Sequence, residues 1–343
     1  MKILVAMSGG VDSSVAALLL QRQGHQVSGA TMKLWGGVSD SGCCSVSDVE
    51  DARRVAAKVG IKHHVFNFTE EFETAVVDHY VDSYSRGLTP NPCIECNRNV
   101  KFDLFIDRAV RLGFDMVATG HYAQVTADAD GFHLSRGLDE KKDQSYVISM
   151  LGQHRLSRLI LPIGGMKKDV VRSLAHAAGL DTASKPDSQD VCFIASTTSR
   201  VEFLSRRVPL HAASVVDSQT GTVLGEVEAM ESVTLGQRRG LGTLGDSKRR
   251  YVVEVDHERR TIVLGTLAET FTSEIRFQLT SFTLAPIDPG TEILCQTSAH
   301  GYVRKGTYFD DRVEFDEPVR RVAAGQTITF YRDNEVVGSA VVS

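Results

Sequence analysis

No apolar run in the chain approaches the ~20 residues that cross a bilayer as a helix. The opening Met1-Lys2-Ile3-Leu4-Val5-Ala6 gives way to Ser8-Gly9-Gly10 far too soon for a signal peptide, so the expectation is a cytoplasmic protein with no membrane partner. Charge of one sign is also missing. The 38 basic and 43 acidic residues leave a formal charge of −5, and any hold on a polyanion must come from local patches. There is no low-complexity tract and no internal repeat, which excludes a fibre or a disordered tail. No G-x-x-x-x-G-K-S/T loop occurs, which argues against an NTPase that cleaves at the γ-phosphate. Cysteine is scarce, six in all. In a reducing compartment these are thiols, metal ligands or catalytic groups rather than structural disulfides.

What is present is an ordinary globular composition, 42% apolar, in a chain of 343 residues that is long enough for two or three domains. Lys2–Ala6 reads as a buried strand, Ser13–Gln23 as a helix closed by Gly24, and Gln26–Thr31 as the next strand. Ser47 with Glu50 forms a capping-box signature for a helix to Lys58, and His63–Asn67 is strand-like. Helices are expected over Glu70–Arg86, Arg98–Leu112 and Lys167–Ala178, with another strand at Met116–Thr119. This is the grammar of an α/β, doubly wound parallel sheet. Beyond Thr198 it changes to short alternating runs: Tyr251–Val255, Thr261–Leu264, Glu292–Thr297, Val313–Phe315, Thr327–Tyr331 and Val336–Val342. The expected domains are 1–198, a nucleotide-binding catalytic unit; 199–270, a small central β-rich unit; and 271–343, a C-terminal β-barrel.

The segment Ala6-Met7-Ser8-Gly9-Gly10-Val11-Asp12-Ser13 lies between the first strand and the first helix, where backbone N–H groups and the helix dipole favour an anion. Its glycines let the backbone approach a phosphate, and Ser8 and Ser13 supply hydroxyls. Asp12 would repel a phosphate unless Mg²⁺ bridges the two or it caps the helix. The simplest alternative is a plain glycine turn with an aspartate cap.

Asn91-Pro92-Cys93-Ile94-Glu95-Cys96 sets a C-x-x-C before a helix, where the dipole can favour a thiolate. A third thiol, Cys192, stands in Lys185-Pro186-Asp187-Ser188-Gln189-Asp190-Val191-Cys192-Phe193-Ile194 and can meet the pair across the ligand edge of the sheet. Taken alone, these thiols suit persulfide or disulfide chemistry, a 4Fe–4S cluster held by Cys93, Cys96 and Cys192, or zinc completed by His121. Cys43, Cys44 and Cys295 belong to no motif. Basic pairs at Lys141-Lys142, Lys167-Lys168, Arg206-Arg207, Arg238-Arg239, Lys248-Arg249-Arg250 and Arg320-Arg321 read either as solvated faces or as RNA-binding patches.

The Ser-Gly-Gly loop resembles the PP-loop, whose superfamily cleaves ATP to AMP and pyrophosphate by adenylating an oxygen. With Met32-Lys33-Leu34-Trp35, Thr119-Gly120-His121-Tyr122, Lys142-Asp143-Gln144-Ser145-Tyr146 and Leu235-Gly236-Gln237-Arg238-Arg239-Gly240-Leu241-Gly242, the chain resembles the bacterial MnmA family of tRNA-specific 2-thiouridylases almost end to end. The resemblance implies ATP-dependent 2-thiolation of the wobble uridine of tRNAs of the Lys, Glu and Gln type. ATP, with Mg²⁺, would adenylate the C2 oxygen, and a persulfide sulfur would displace AMP. It implies Cys192 as the persulfide carrier and Cys96 as the partner thiol, with a cysteine desulfurase or a sulfur-carrier protein as donor. It further implies Met32 and Gly120 at the adenine, and Asn91, Pro92, Cys93, His121, Lys142, Asp143, Gln144, His300, Gly301 and Gln326 at the tRNA. One departure is Cys93, where many members carry Asp; the acid–base role proposed for that carboxylate is in doubt here.

Overall fold

The computed structural model describes residues 1–35, 46–187, 191–194, 199–241 and 249–343. Cys43, Cys44, Gly242, Lys248, the 188–190 stretch and the boundary at Thr198 lie outside the described residues.

Five parallel strands form the first sheet: β1 (Lys2–Ala6), β2 (Gln26–Lys33), β3 (Lys62–Asn67), β4 (Met116–Ala118) and β7 (Leu159–Ile160), in the order β3-β2-β1-β4-β7. Ile3, Leu4 and Val5 are wholly buried, as the continuous apolar run of a two-sided parallel strand requires. Helices α1 (Val11–Arg22), α2 (Val46–Val59) and, later in the chain, Lys168–Ala177 pack on one face around Val15, Ala16, Val55 and Val171. The other face is covered by two long helices, α3 over 69–85 and α4 over 92–111, around Phe72, Tyr80, Phe102 and Phe105. Lys168–Ala177 is α5.

Several boundaries differ from expectation. α1 starts at Val11 because Gly10 in extended conformation is its N-cap, so Asp12 lies inside the first turn and does not cap it. Ser47 is likewise within α2, which begins at Val46. α4 begins at Pro92 because the Asn91 side chain accepts from the backbone N–H of Cys93 (3.1 Å) and Ile94 (3.4 Å), with proline at the first position where its missing donor costs nothing. The C-x-x-C is therefore in the helix rather than ahead of it. From Cys96 to Leu104 the helix is π-wound, as α3 is from Glu73 to Asp78, a winding that recurs near functional sites.

The hairpin β5 (Ala123–Ala127) and β6 (Phe132–Arg136) was not foreseen, and it leaves the first sheet altogether. It pairs with the last strand of the chain, Glu335 facing Ser135 and Val336 facing Leu134. The central sheet has order β10-β11-β8-β9, with β8 Ala213–Asp217, β9 Val223–Val227, β10 Tyr251–Asp256 and β11 Thr261–Gly265. Six strands then close a barrel: β12 Phe271–Phe282, β13 Glu292–Gln296, β14 Arg304–Phe309, β15 Arg312–Arg320, β16 Thr327–Arg332 and β17 Glu335–Val342, with β12 pairing both β15 and β17. Inward residues of alternate positions, among them Ile275, Phe277, Tyr308, Ile328 and Phe330, fill it, which removes the sheet edges a small open sheet would expose. Among the described residues no helix is long and apolar enough to cross a membrane.

Candidate active site

Strand order reverses direction between β1 and β4, so their C-terminal ends flank the switch-point crevice where open α/β sheets bind ligands. The Ser8–Ser13 loop follows β1 and Gly120 follows β4, and the two touch. A Cβ on Gly120 would lie 2.6 Å from the Ser13 amide nitrogen and 2.8 Å from the Asp12 carbonyl carbon, so only glycine fits. Gly9 is as constrained: its φ is +74° and a Cβ would fall 2.4 Å from the Asp48 carbonyl oxygen. The loop is held from within by the Ser8 amide donating to Ser13 Oγ (3.2 Å) and by Ser14 Oγ donating to the Gly10 carbonyl (2.7 Å). From behind, Thr31 Oγ1 donates to the Met7 carbonyl (2.7 Å) and lies 2.9 Å from His63 Nε2. With the hydroxyl proton committed to Met7, His63 must donate from Nε2. Met7 and Met32 are both buried and pack in the cores.

Asp12 does not cap the helix. Its carboxylate accepts from Tyr122 Oη (2.7 Å) and from Lys168 Nζ at 2.7 and 2.9 Å. Burial first, and then the Asp12 charge, push the Tyr122 phenol well above its usual range, which keeps it a donor. Lys168 also reaches Asp187 Oδ1 (2.8 Å), and Asp187 receives Lys142 (2.7 Å) and Arg172 (2.9 Å). Burial opposes ionisation of Asp187, but the hydrogen bonds from Lys142 and Lys168 prevail and hold its pKa at about 2. Two residues earlier, Lys185 Nζ donates to the Gly9 carbonyl (3.2 Å) and pairs with Asp48 (2.7 Å) and Asp51 (2.6 Å). The segment leading to Cys192 is thus pinned to both sides of the phosphate loop. Tyr122, Lys168, Lys185 and Asp187 were not singled out for these roles in the sequence. The only signal was that each lies in or beside a quoted motif.

Cys96 is buried and Cys192 half-buried, and both pack into the same core, where Phe193 meets Trp35 (6.2 Å between ring centres), Phe72 (6.0 Å) and Tyr80 (5.2 Å). Cys93 is exposed on the first turn of α4. Among the described residues no group of three or more His, Cys, Asp or Glu side chains is placed to hold a metal ion. Cys295 lies in the barrel interior, where burial raises its thiol pKa.

The residues expected at the tRNA are only partly gathered. His121, half-buried, shares a 2.7 Å hydrogen bond with Thr119 and sits 5.5 Å from the Phe102 ring; burial, then the Lys101 charge, lower its pKa to about 3, so it is neutral. Asp143 faces inward, pairing with Arg136 (2.9 Å) and accepting from Gly137 and Ser145. Gln144 accepts from the Tyr122 amide (3.0 Å). Gln326 donates to the Thr89 carbonyl and docks the barrel on the loop before the C-x-x-C. Each of these three thus has a partner within the protein, and the Asn91 oxygen caps α4. His300 is exposed and Gly301 closes a turn on Ser298, beside Tyr302, which is 84% exposed.

A parallel sheet with a glycine-bearing loop at its switch point is the frame of a nucleotide-binding α/β protein. Residues 1–196 match the family model described as the tRNA methyl transferase HUP domain, 201–266 its PRC-barrel domain, and 304–342 the aminomethyltransferase beta-barrel domain. The tRNA-specific 2-thiouridylase MnmA of Herpetosiphon aurantiacus is 40% identical over 352 residues, covering 100% of this chain and 98% of the relative; that of Chloroflexus aurantiacus is 43% identical over 358 residues, covering 99% and 98%. The chain belongs to the MnmA family of tRNA-specific 2-thiouridylases. The solved U34-tRNA thiolase NcsA from Methanococcus maripaludis, with its 4Fe-4S cluster, is 17% identical and covers 56% of this chain and 61% of that one at a TM-score of 0.39, too distant for its cluster to bear on this chain.

Proposed function

We propose that the protein is an ATP-dependent tRNA uridine 2-sulfurtransferase. The observation that carries this is the anchoring of the Cys192 segment to the phosphate loop through Lys168 and Lys185, which joins an adenylating site to a thiol. The name of the matching family model speaks of methyl transfer. A methyl transfer needs neither ATP cleavage nor thiols, whereas thiolation needs both, and the curated relatives are named for thiolation.

ATP enters as its Mg²⁺ complex, with its phosphates against the loop amides, Ser8 and Ser13. Lys168 and Lys142, already gathered by Asp12 and Asp187, offset the charge that builds as pyrophosphate leaves. The acceptor is the C2 oxygen of a wobble uridine, turned out of its stack at the cost loop nucleotides pay least. Neutral His121 beside Gly120 stays uncharged through this step and does not repel the lysines. Cys192 carries a persulfide delivered by a cysteine desulfurase or a sulfur-carrier protein. The Cys96 thiolate attacks the Cys192 Sγ, the S–S bond breaks, and the outer sulfur leaves as hydrosulfide with two electrons. The hydrosulfide displaces AMP from C2, a Cys96–Cys192 disulfide remains, and an external thiol reductant reopens it. Cys93, exposed and one turn before Cys96, is not required for these steps.

The oxygen balance gives a direct test. In a single turnover with tRNA labelled with ¹⁸O at uridine C2, the label should appear in the phosphate of AMP. AMP carrying only solvent oxygen would show that ATP is hydrolysed rather than used to activate the base.

A further inference from the structure

The Leu235–Leu241 stretch and the Arg320-Arg321 pair take no part in the active site, yet the fold brings them together. A cavity of about 210 Å³ opens between the central sheet and the barrel, walled by Leu235, Gly236 and Val252 on one side and Thr270, Arg320 and Arg321 on the other. At ~30 Å³ per water in the liquid, it has room for a tetrahedral phosphate group.

Its walls are fixed. The Gly236 amide donates to Val252 (2.8 Å), the Val252 amide to Gln237 (2.9 Å), and the Arg321 amide to Thr270 (2.8 Å). Gly236 has a φ of +78° and nothing within 4 Å of where a Cβ would be, so the chain turns sharply there and leaves the mouth open. The Arg320 guanidinium lies 5.4 Å from the centre of the Phe271 ring and 5.9 Å from that of Tyr251, which orders it before any ligand arrives.

In the same two units Arg250 pairs with Asp217, Arg276 with Asp311 and Arg312 with Glu314. Among the described residues Arg320 and Arg321 have no carboxylate partner, and both are exposed. Glu269, just before Thr270, turns its carboxylate to the Thr266 amide (2.8 Å) and hydroxyl (2.7 Å). Arg238 and Arg239, also exposed, continue the loop from Gly236. In a chain of net charge −5, two domains thus present arginines at one preformed cleft.

We propose that this interdomain cleft binds a backbone phosphate of the RNA, with Arg320 and Arg321 as its guanidinium forks. It is a docking point built from residues separate from the thiol site, and it rests on tRNA being the substrate.

The test is equilibrium binding of unmodified tRNA to the full chain across a series of KCl concentrations, with no turnover required. Arg320→Ala/Arg321→Ala should weaken binding roughly tenfold at about 0.15 M salt and lower the slope of log Kd on log salt by about 2. Because removing Arg320 also unstacks two rings, Arg321→Gln serves as the second variant, with an expected slope change of about 1. Wild-type affinity and slope in variants that melt at the wild-type temperature would overturn the proposal. So would orthophosphate raising the wild-type melting temperature with no change in RNA affinity in the variants, which would identify a free-anion site instead. Arginine-dependent RNA binding in a protein that makes no 2-thiouridine would sink the functional reading and leave this inference standing.

Discussion

Lys168 Nζ stands 2.7 Å from Asp12 Oδ2 and 2.8 Å from Asp187 Oδ1, so one ammonium joins the helix that follows the phosphate loop to the segment that carries Cys192. Removing it leaves two carboxylates facing each other beside the site where a polyphosphate must bind. Lys168→Met should therefore cut pyrophosphate release by about 10²-fold, the scale of losing one charge-stabilising donor. Lys168→Arg should recover part of it. A Lys168→Met enzyme within a factor of two of wild type would remove this lysine from the adenylation step.

Gly120 tests the crevice itself. The methyl group of Gly120→Ala has no room beside Ser13 and Asp12, and overpacking of this kind costs about 1–3 kcal/mol. Because the displaced element is the phosphate loop, the loss should fall on ATP affinity, roughly 5- to 150-fold in Kd by isothermal titration. Unaltered ATP binding would mean that the loop is not where ATP sits.

Acid stability should show two phases. The neutral His121 ring has a folded pKa of about 3 against an ordinary 6.5, so its contribution is complete above pH 6.5 and is lost progressively as the unfolded chain takes up the proton below that. Asp187, held at about 2 against an ordinary 3.8, contributes stability that is present above 3.8 and lost as pH falls through about 2. Denaturant unfolding of His121→Gln should thus show a flatter slope of stability on pH between 6.5 and 3.8. An unchanged slope would mean that His121 is already accessible to protons in the folded state.

The sequence made four of the five strands of the first sheet, the loop and four of the six barrel strands legible because each is a local pattern: a continuous apolar run, a glycine pair after a strand, alternation with turns; β7, β12 and β14 were missed. Long-range choices were not legible. The hairpin 123–136 alternates like any strand pair, and nothing local says that it adds to β17 rather than to the sheet beside it. Asp12 has a partner 156 positions away, so the sequence offered only capping or metal binding for its charge. Asn91, Asp143, Gln144 and Gln326 were placed at the tRNA by resemblance; the cap, the Arg136 pair, the Tyr122 amide and the Thr89 carbonyl that claim them become visible only in three dimensions.

The thiols separate the sulfur routes. If Cys93 is idle, Cys93→Ala should keep more than about a third of wild-type turnover, an effect under ~1 kcal/mol on the barrier. Loss of activity together with loss of bound iron would instead favour a cluster.

The most direct measurement is 2-thiouridine itself. Protein purified without oxygen, given ATP, Mg²⁺, unmodified tRNA, a persulfide donor and a thiol reductant, should form one AMP per 2-thiouridine in the digested RNA, and Cys192→Ala should form AMP without the thiolated base. Thiolation at the wild-type rate by Cys192→Ala, or AMP formation by the wild type with no thiolated base, would contradict the account.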